Sequence, residues 1–145
     1  MKRIIVLIVI FTFSLFSCSK SDEGKTSQSS IVGKWHTISA KTNGVPKILS
    51  ACDLYGYIEL LSDNTCVIES GYVKGANCEH STDIGIYTFI DNVLTFKEGQ
   101  YESRSFITGL TVTNFKSTTY YTKEGSTITN IPENEQTTFT VEKIN

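Results

Sequence analysis

Long apolar runs, basic charge and helical periodicity are what this 145-residue sequence has least of. Its longest apolar stretch, Ile4–Phe16, is broken by Thr12 and Ser14 and is too short to span a bilayer stably. Lys and Arg number 13 against 15 Asp and Glu, so the basic excess of a nucleic-acid-binding chain is missing and no nucleic-acid partner is expected. Lys116, Lys123 and Lys143 are scattered and form no aromatic-interleaved basic groove. No stretch of eleven or more residues repeats apolar side chains at a helical period. Phosphate-cradling glycine loops and the Gly-x-Ser-x-Gly elbow are absent. Asp63, Glu69, Glu79, Asp91, Glu98 and Glu124 fall mostly in turns and on expected outward faces, without the pairing of a glycosidase site. No catalytic residue, no metal site and no cofactor is expected, and the chain does not read as an enzyme.

What is present begins with a leader. Met1-Lys2-Arg3 is a short positive segment, and Ile4–Phe16 fits the apolar core of a signal peptide. Leu15-Phe16-Ser17-Cys18, a small residue just before a cysteine, resembles the lipobox of bacterial lipoproteins. The resemblance implies a signal peptide over 1–17, and Cys18 as the lipidated N-terminus of the mature chain. Without Lys2 and Arg3, 11 basic residues face 15 acidic ones, for a net charge near −4, and no methionine remains. Residues 18–30 continue with SKSDEGKTSQSS, which has no apolar residue and reads as a lipidated flexible tether. Its Ser19-Lys20-Ser21-Asp22-Glu23 is similar to the acidic patch of surface-exposed Bacteroidetes lipoproteins. Two or more acyl chains would make membrane attachment nearly permanent. The expected location is the outer membrane or cell surface of a Gram-negative bacterium, with the membrane as partner through the anchor.

Residues 31–145 form one domain, and its dominant signal is strand. Thr, Ile, Val, Tyr and Phe are abundant and turn residues recur every eight to twelve positions. Eight strands are expected, at about 33–42, 55–62, 65–73, 83–91, 93–98, 101–108, 112–122 and 135–143. Short turns such as Asp63-Asn64 and Asp91-Asn92 join them into an antiparallel meander. Eight such strands remove their edges by closing into a barrel. Residues 43–53 are a long connection, expected to form a short helix or a lid over one barrel end. Alternation puts Ile58 and Leu60, Cys66 and Ile68, Leu94 and Phe96, and Phe139 and Val141 on inward faces. In the fourth strand Ile84, Ile86 and Ile90 share one face and Tyr87 and Phe89 the other, so a cover over its outer side is expected.

Ile31-Val32-Gly33-Lys34-Trp35 opens this domain with Gly-x-Trp. Cys52, an Asp-Asn turn, Cys78, Gly85-x-Tyr87-x-Phe89, Asp91-Asn92-x-Leu94 and Ile107-x-x-Leu110-Thr111 follow in order. Together they resemble the lipocalin-like domain of many small Bacteroidetes lipoproteins, over about Ile31 to Ile144. The resemblance implies an all-β, eight-stranded lipocalin-like barrel whose Trp35 points inward and plugs the closed end. It also implies a disulfide between Cys52 and Cys78, at the positions where the family's cysteine pair falls, leaving Cys66 as a small buried thiol. Two other readings of these residues stand beside it. Cys52, Cys78 and His80 are a set of metal-ligand types, although Cys-x-His is not a usual zinc spacing, and Cys66 with His36 is a thiol and a base.

Two functions follow for such a barrel. One is binding of a small apolar or amphipathic ligand, with Trp35, Tyr87, Phe89, Phe115 and Phe139 as candidate lining. The other is a filled barrel serving as a structural or protein-interaction module at the cell surface.

Overall fold

A computed structural model of the protein describes residues 30–144. The signal peptide, Cys18 and all of the tether except Ser30 lie outside the described residues. Ten strands run in the order β1 (Gly33–Thr42), β2 (Val45–Lys47), β3 (Tyr57–Leu60), β4 (Thr65–Lys74), β5 (Asn77–Ile90), β6 (Val93–Glu98), β7 (Tyr101–Thr108), β8 (Asn114–Glu124), β9 (Thr127–Asn130) and β10 (Thr137–Ile144). Each pairs antiparallel with its sheet neighbour, and β10 pairs with both β1 and β8. Phe139 of β10 therefore stands opposite Ala40 on one side and Ser117 on the other. Eight strands (β1, β3 to β8 and β10) close a barrel, as the spacing of turns and apolar alternation leads one to expect. The short β2 and β9 extend two hairpins beyond the ring.

Turn chemistry sets the register. Asp91 and Asn92 both adopt left-handed backbone, φ 51° and 62°, the geometry of a two-residue hairpin turn that matches strand twist. Asp63 accepts hydrogen bonds from the Thr65 backbone N–H at 2.9 Å and hydroxyl at 2.6 Å, fixing the β3–β4 turn. At the same end Tyr87 N–H donates to Asn64 O and Ile107 N–H to Asn92 O, both at 2.8 Å.

That end is filled. Trp35, Leu60 and Cys66 are wholly inaccessible. The Trp35 indole N–H donates to Ile31 O at 2.8 Å, and its ring meets Phe115 edge-on at 4.8 Å. Tyr87, Leu94, Phe96, Ile107 and Val141 complete the cluster. Phe96 lies across Gly85, where any Cβ would collide with its ring.

Three local expectations change. β5 begins earlier than residue 83, because Asn77–Thr82 continues the ladder along Glu69–Lys74 of β4, ending with Asn77 opposite Lys74, although its inward positions are polar. β2 and β9 are exposed along their whole lengths and so carry no one-sided apolar pattern. Ile84, Ile86 and Ile90 do face outward, at 67%, 57% and 65% exposure, and no described residue covers them; segment 43–53 lies instead at the open end.

Candidate ligand cavity

The barrel's other end is open and carries a strap. Residues 48–56, between β2 and β3, fold on a Ser50–Asp53 turn. The Asp53 carboxylate accepts from Ser50 N–H and hydroxyl, both at 2.8 Å, and Ser50 Oγ accepts from Asp53 N–H at 3.1 Å. These bonds, with the charge of Lys47, hold the Asp53 carboxyl below its ordinary range. Cys52 is bonded to Cys78 of the β4–β5 hairpin, with Cα atoms 5.6 Å apart. Gly71 of β4 has no side chain because the Cys52 backbone occupies the place of its Cβ. Tyr55 stacks on His80 at 3.8 Å. The strap is thus fixed to one hairpin by a covalent bond, a backbone contact and a ring stack.

Beneath it lies a cavity of about 310 Å³. Its floor and wall are Trp35, Ile58, Ile68, Phe139 and Val141, contributed by β1, β3, β4 and β10. Lys47 of β2 and Leu49 and Asp53 of the strap border it from the other side. Thr37, Tyr57, Glu69 and Ser70 add polar groups to the lining, and an apolar wall bordered by polar groups suits a small amphipathic molecule.

The five aromatic candidates divide. Trp35 and Phe139 line the cavity. Tyr87, Phe89 and Phe115 do not: Tyr87 is buried with its hydroxyl donating to Leu61 O at 2.8 Å, Phe89 packs against the core cluster, and Phe115 supports Trp35 from the filled half. Ile58, Ile68 and Val141 are interior by alternation in the sequence, but the strap residues carry no periodic signal that would have singled them out. Cys52 and Cys78 use their thiols on each other, as the family resemblance implied. Cys66 and His36 do not meet. Cys66 faces the core, whereas His36, next to the inward Trp35, pairs with Tyr57 on the outer side.

Burial pushes the Cys66 thiol from its ordinary value near 9 up to about 11, with the Glu98 charge adding to the shift against a backbone hydrogen bond from Gly85. The raised value means that the folded state holds this proton more tightly than the unfolded one. The associated stability is complete below about pH 9 and is lost as pH rises through 11. Cys66 is expected to resist iodoacetamide at pH 8 in the native protein and to react once it is denatured. Mass spectrometry of the alkylated peptides checks this; rapid native labelling would place the thiol at the surface.

The sequence profile of the lipocalin-like domain family matches residues 31–117, more than half of the chain. Among solved structures, the chain is similar to one titled Odorant Binding Protein OBP1, at 17% identity and a TM-score of 0.45, over 82% of this chain and 74% of that one. No curated protein matches. With its barrel closed by β10 and a family match running from Ile31 into β8, the chain belongs to the lipocalin-like domain family.

Proposed function

We propose that this protein is an exported, lipid-anchored binding module that holds one small apolar or amphipathic molecule in its barrel. The observation that carries the reading is the cavity of about 310 Å³ against Trp35, Ile58, Ile68, Phe139 and Val141. Its volume is at the small end of ligand sites. Trp35 is the chain's single tryptophan, so occupation of the cavity has a built-in reporter. Titrating the Cys18→Ala chain with fatty acids and polyaromatic probes is expected to change Trp35 emission saturably. No response to any probe at high micromolar concentration would contradict binding.

The anchoring half of the proposal rests on Leu15-Phe16-Ser17-Cys18 and the polar tether behind it. It places the protein on the outer membrane or cell surface of a Gram-negative bacterium, in the manner of Bacteroidetes lipoproteins. Cys18→Ala is expected to release the protein from the membrane fraction without loss of fold, because Cys18 precedes the barrel by more than ten residues. A variant that still sediments with membranes would count against the anchor.

A second reading, a protein-interaction module, has its own observation. Ile84, Ile86 and Ile90 form an exposed row on the outer face of β5, of the kind that marks partner surfaces. The two readings differ in where a bound molecule would sit.

A further inference from the structure

The outer face of β5 to β8 carries a charge opposite in sign to that of the whole chain. Acidic residues outnumber basic ones by 15 to 13 overall, yet this face holds Lys97, Arg104, Lys116 and Lys123 against the single carboxylate of Glu102. Strand pairing places them there. Lys97 and Lys123 both stand opposite Glu102, Arg104 opposite Tyr121, and Lys116 opposite Thr108. Directly paired residues of antiparallel strands project to the same side of the sheet, and the alternating neighbours Phe96, Ser105 and Phe115 are buried inside. Glu102 is bonded to Lys97 at 3.2 Å and to Arg104 at 2.6 Å, so the face keeps a positive surplus. Asp91 lies beyond it, in the turn between β5 and β6.

Toward the closed end the same face is apolar. Ile86 pairs with Lys97, Ile90 with Val93, and Val93 with Phe106, so the isoleucine row of β5 continues sideways onto β6 and β7. Phe106 is 48% exposed and stacks on Tyr120 at 4.2 Å. Exposed apolar side chains bordered by Lys and Arg complement an anionic bilayer, which takes the apolar groups between its headgroups and the cations at its phosphates. A second copy of the chain is a poorer partner, because joining this face to itself would bring one cationic cluster against another. The tether supplies a second argument. The chain enters the barrel at Ile31, whose carbonyl holds Trp35 at the closed end, the end where Ile90 and Val93 flank their turn. Residues 18–30 can reach at most roughly 45 Å, enough for the barrel to lie on its side and short enough to keep this face beside the membrane.

We propose that the outer face of β5 to β8 docks on the anionic lipid surface to which the protein is anchored, with Ile86, Ile90 and Phe106 among the headgroups and Lys97, Arg104 and Lys123 at their phosphates. The inference rests on the anchored reading above and adds which face meets the bilayer. It turns the β10, β1 and β3 side, which carries most of the apolar cavity wall, away from the membrane. Exposed charges are screened by salt, so docking orients the barrel and does not replace the lipid: the contact is weak and reversible by itself and gains from the tether as a second, intramolecular attachment. A salt wash therefore still strips the Cys18→Ala chain from membranes.

The test uses the mature chain without its lipid, residues 19–145, whose barrel closes within Gly33–Ile144. In sedimentation with vesicles it is expected to bind phosphatidylglycerol at least tenfold more tightly than phosphatidylcholine, and to be released by about 0.5 M salt. Lys97→Gln combined with Lys123→Gln is expected to weaken binding to phosphatidylglycerol roughly tenfold, and Ile86→Ser combined with Ile90→Ser to weaken it comparably. All four positions are on the outer surface, so unchanged Trp35 emission reports that both variants are folded. No binding to phosphatidylglycerol vesicles, or binding that both variants retain in full, would overturn the inference. So would a dimer in light scattering that Ile86→Ser with Ile90→Ser dissolves, because the face would then belong to a second copy. None of these results bears on lipidation, since the tested chain lacks Cys18; membrane fractionation of Cys18→Ala after a salt wash decides that separately.

Discussion

Trp35→Ala is expected to cost about 3–5 kcal/mol of folding stability, the range for deleting a large buried aromatic. The side chain is wholly inaccessible and does three things at once. It fills the closed end beside Leu60 and Cys66, supports the Phe115 ring at 4.8 Å, and donates its indole N–H to Ile31 O at 2.8 Å. That last bond ties the residue where the chain enters the barrel to its first strand. Alanine would leave a cavity and an unpaired carbonyl together. Trp35→Phe keeps most of the ring and loses the N–H, so its cost is expected to be smaller, roughly the 1–3 kcal/mol of a buried group left without its partner. Chemical denaturation of both variants measures the difference. A loss under about 1 kcal/mol for Trp35→Ala would mean that the inward register of β1 is wrong.

Removing the Cys52–Cys78 bridge is the second large effect. The bond closes a loop with a sequence separation of 26, for which loop-closure entropy gives about 3.5 kcal/mol. Its position makes the consequence local as well as global. The strap has no regular strand of its own between Lys47 and Tyr57, and its remaining ties are the Gly71 contact and the Tyr55–His80 stack. A Cys52→Ser, Cys78→Ser double variant is expected to lower the denaturation midpoint and to weaken ligand retention, with the core still folded. Non-reducing peptide mapping verifies the pairing in the parent. A bridge containing Cys66 would contradict the β3–β4 hairpin, because Cys66 stands beside Leu60 near the opposite end.

How much of this was legible in the sequence depended on whether each strand had one dry face. β1, β6 and β7 each have one, and their limits coincide with the expected 33–42, 93–98 and 101–108. The start of β5 did not, because its inward positions Glu79, Ser81 and Asp83 line a polar part of the interior, where apolar alternation fails. β2 and β9 have two wet faces and leave no pattern at all. The site followed the same rule. Trp35 and Phe139 were identifiable as inward aromatics, and so were Tyr87, Phe89 and Phe115. Which of them meet open space depends on how side-chain layers from different strands stack, and no single strand's alternation contains that information. The family's cysteine pair located one anchor of the strap, whereas Leu49 and Asp53 gain their place only from the fold.

A small amphiphile is expected to occupy the space between the strap and the apolar wall. Amide chemical-shift mapping of the isotopically labelled Cys18→Ala chain, during titration with decanol, tests this directly. Occupation of the cavity predicts saturable shifts concentrated at Leu49, Ile58, Ile68, Phe139 and Val141, with Ile84, Ile86 and Ile90 unmoved. Shifts confined to that outer isoleucine row, with the cavity residues silent, would contradict it.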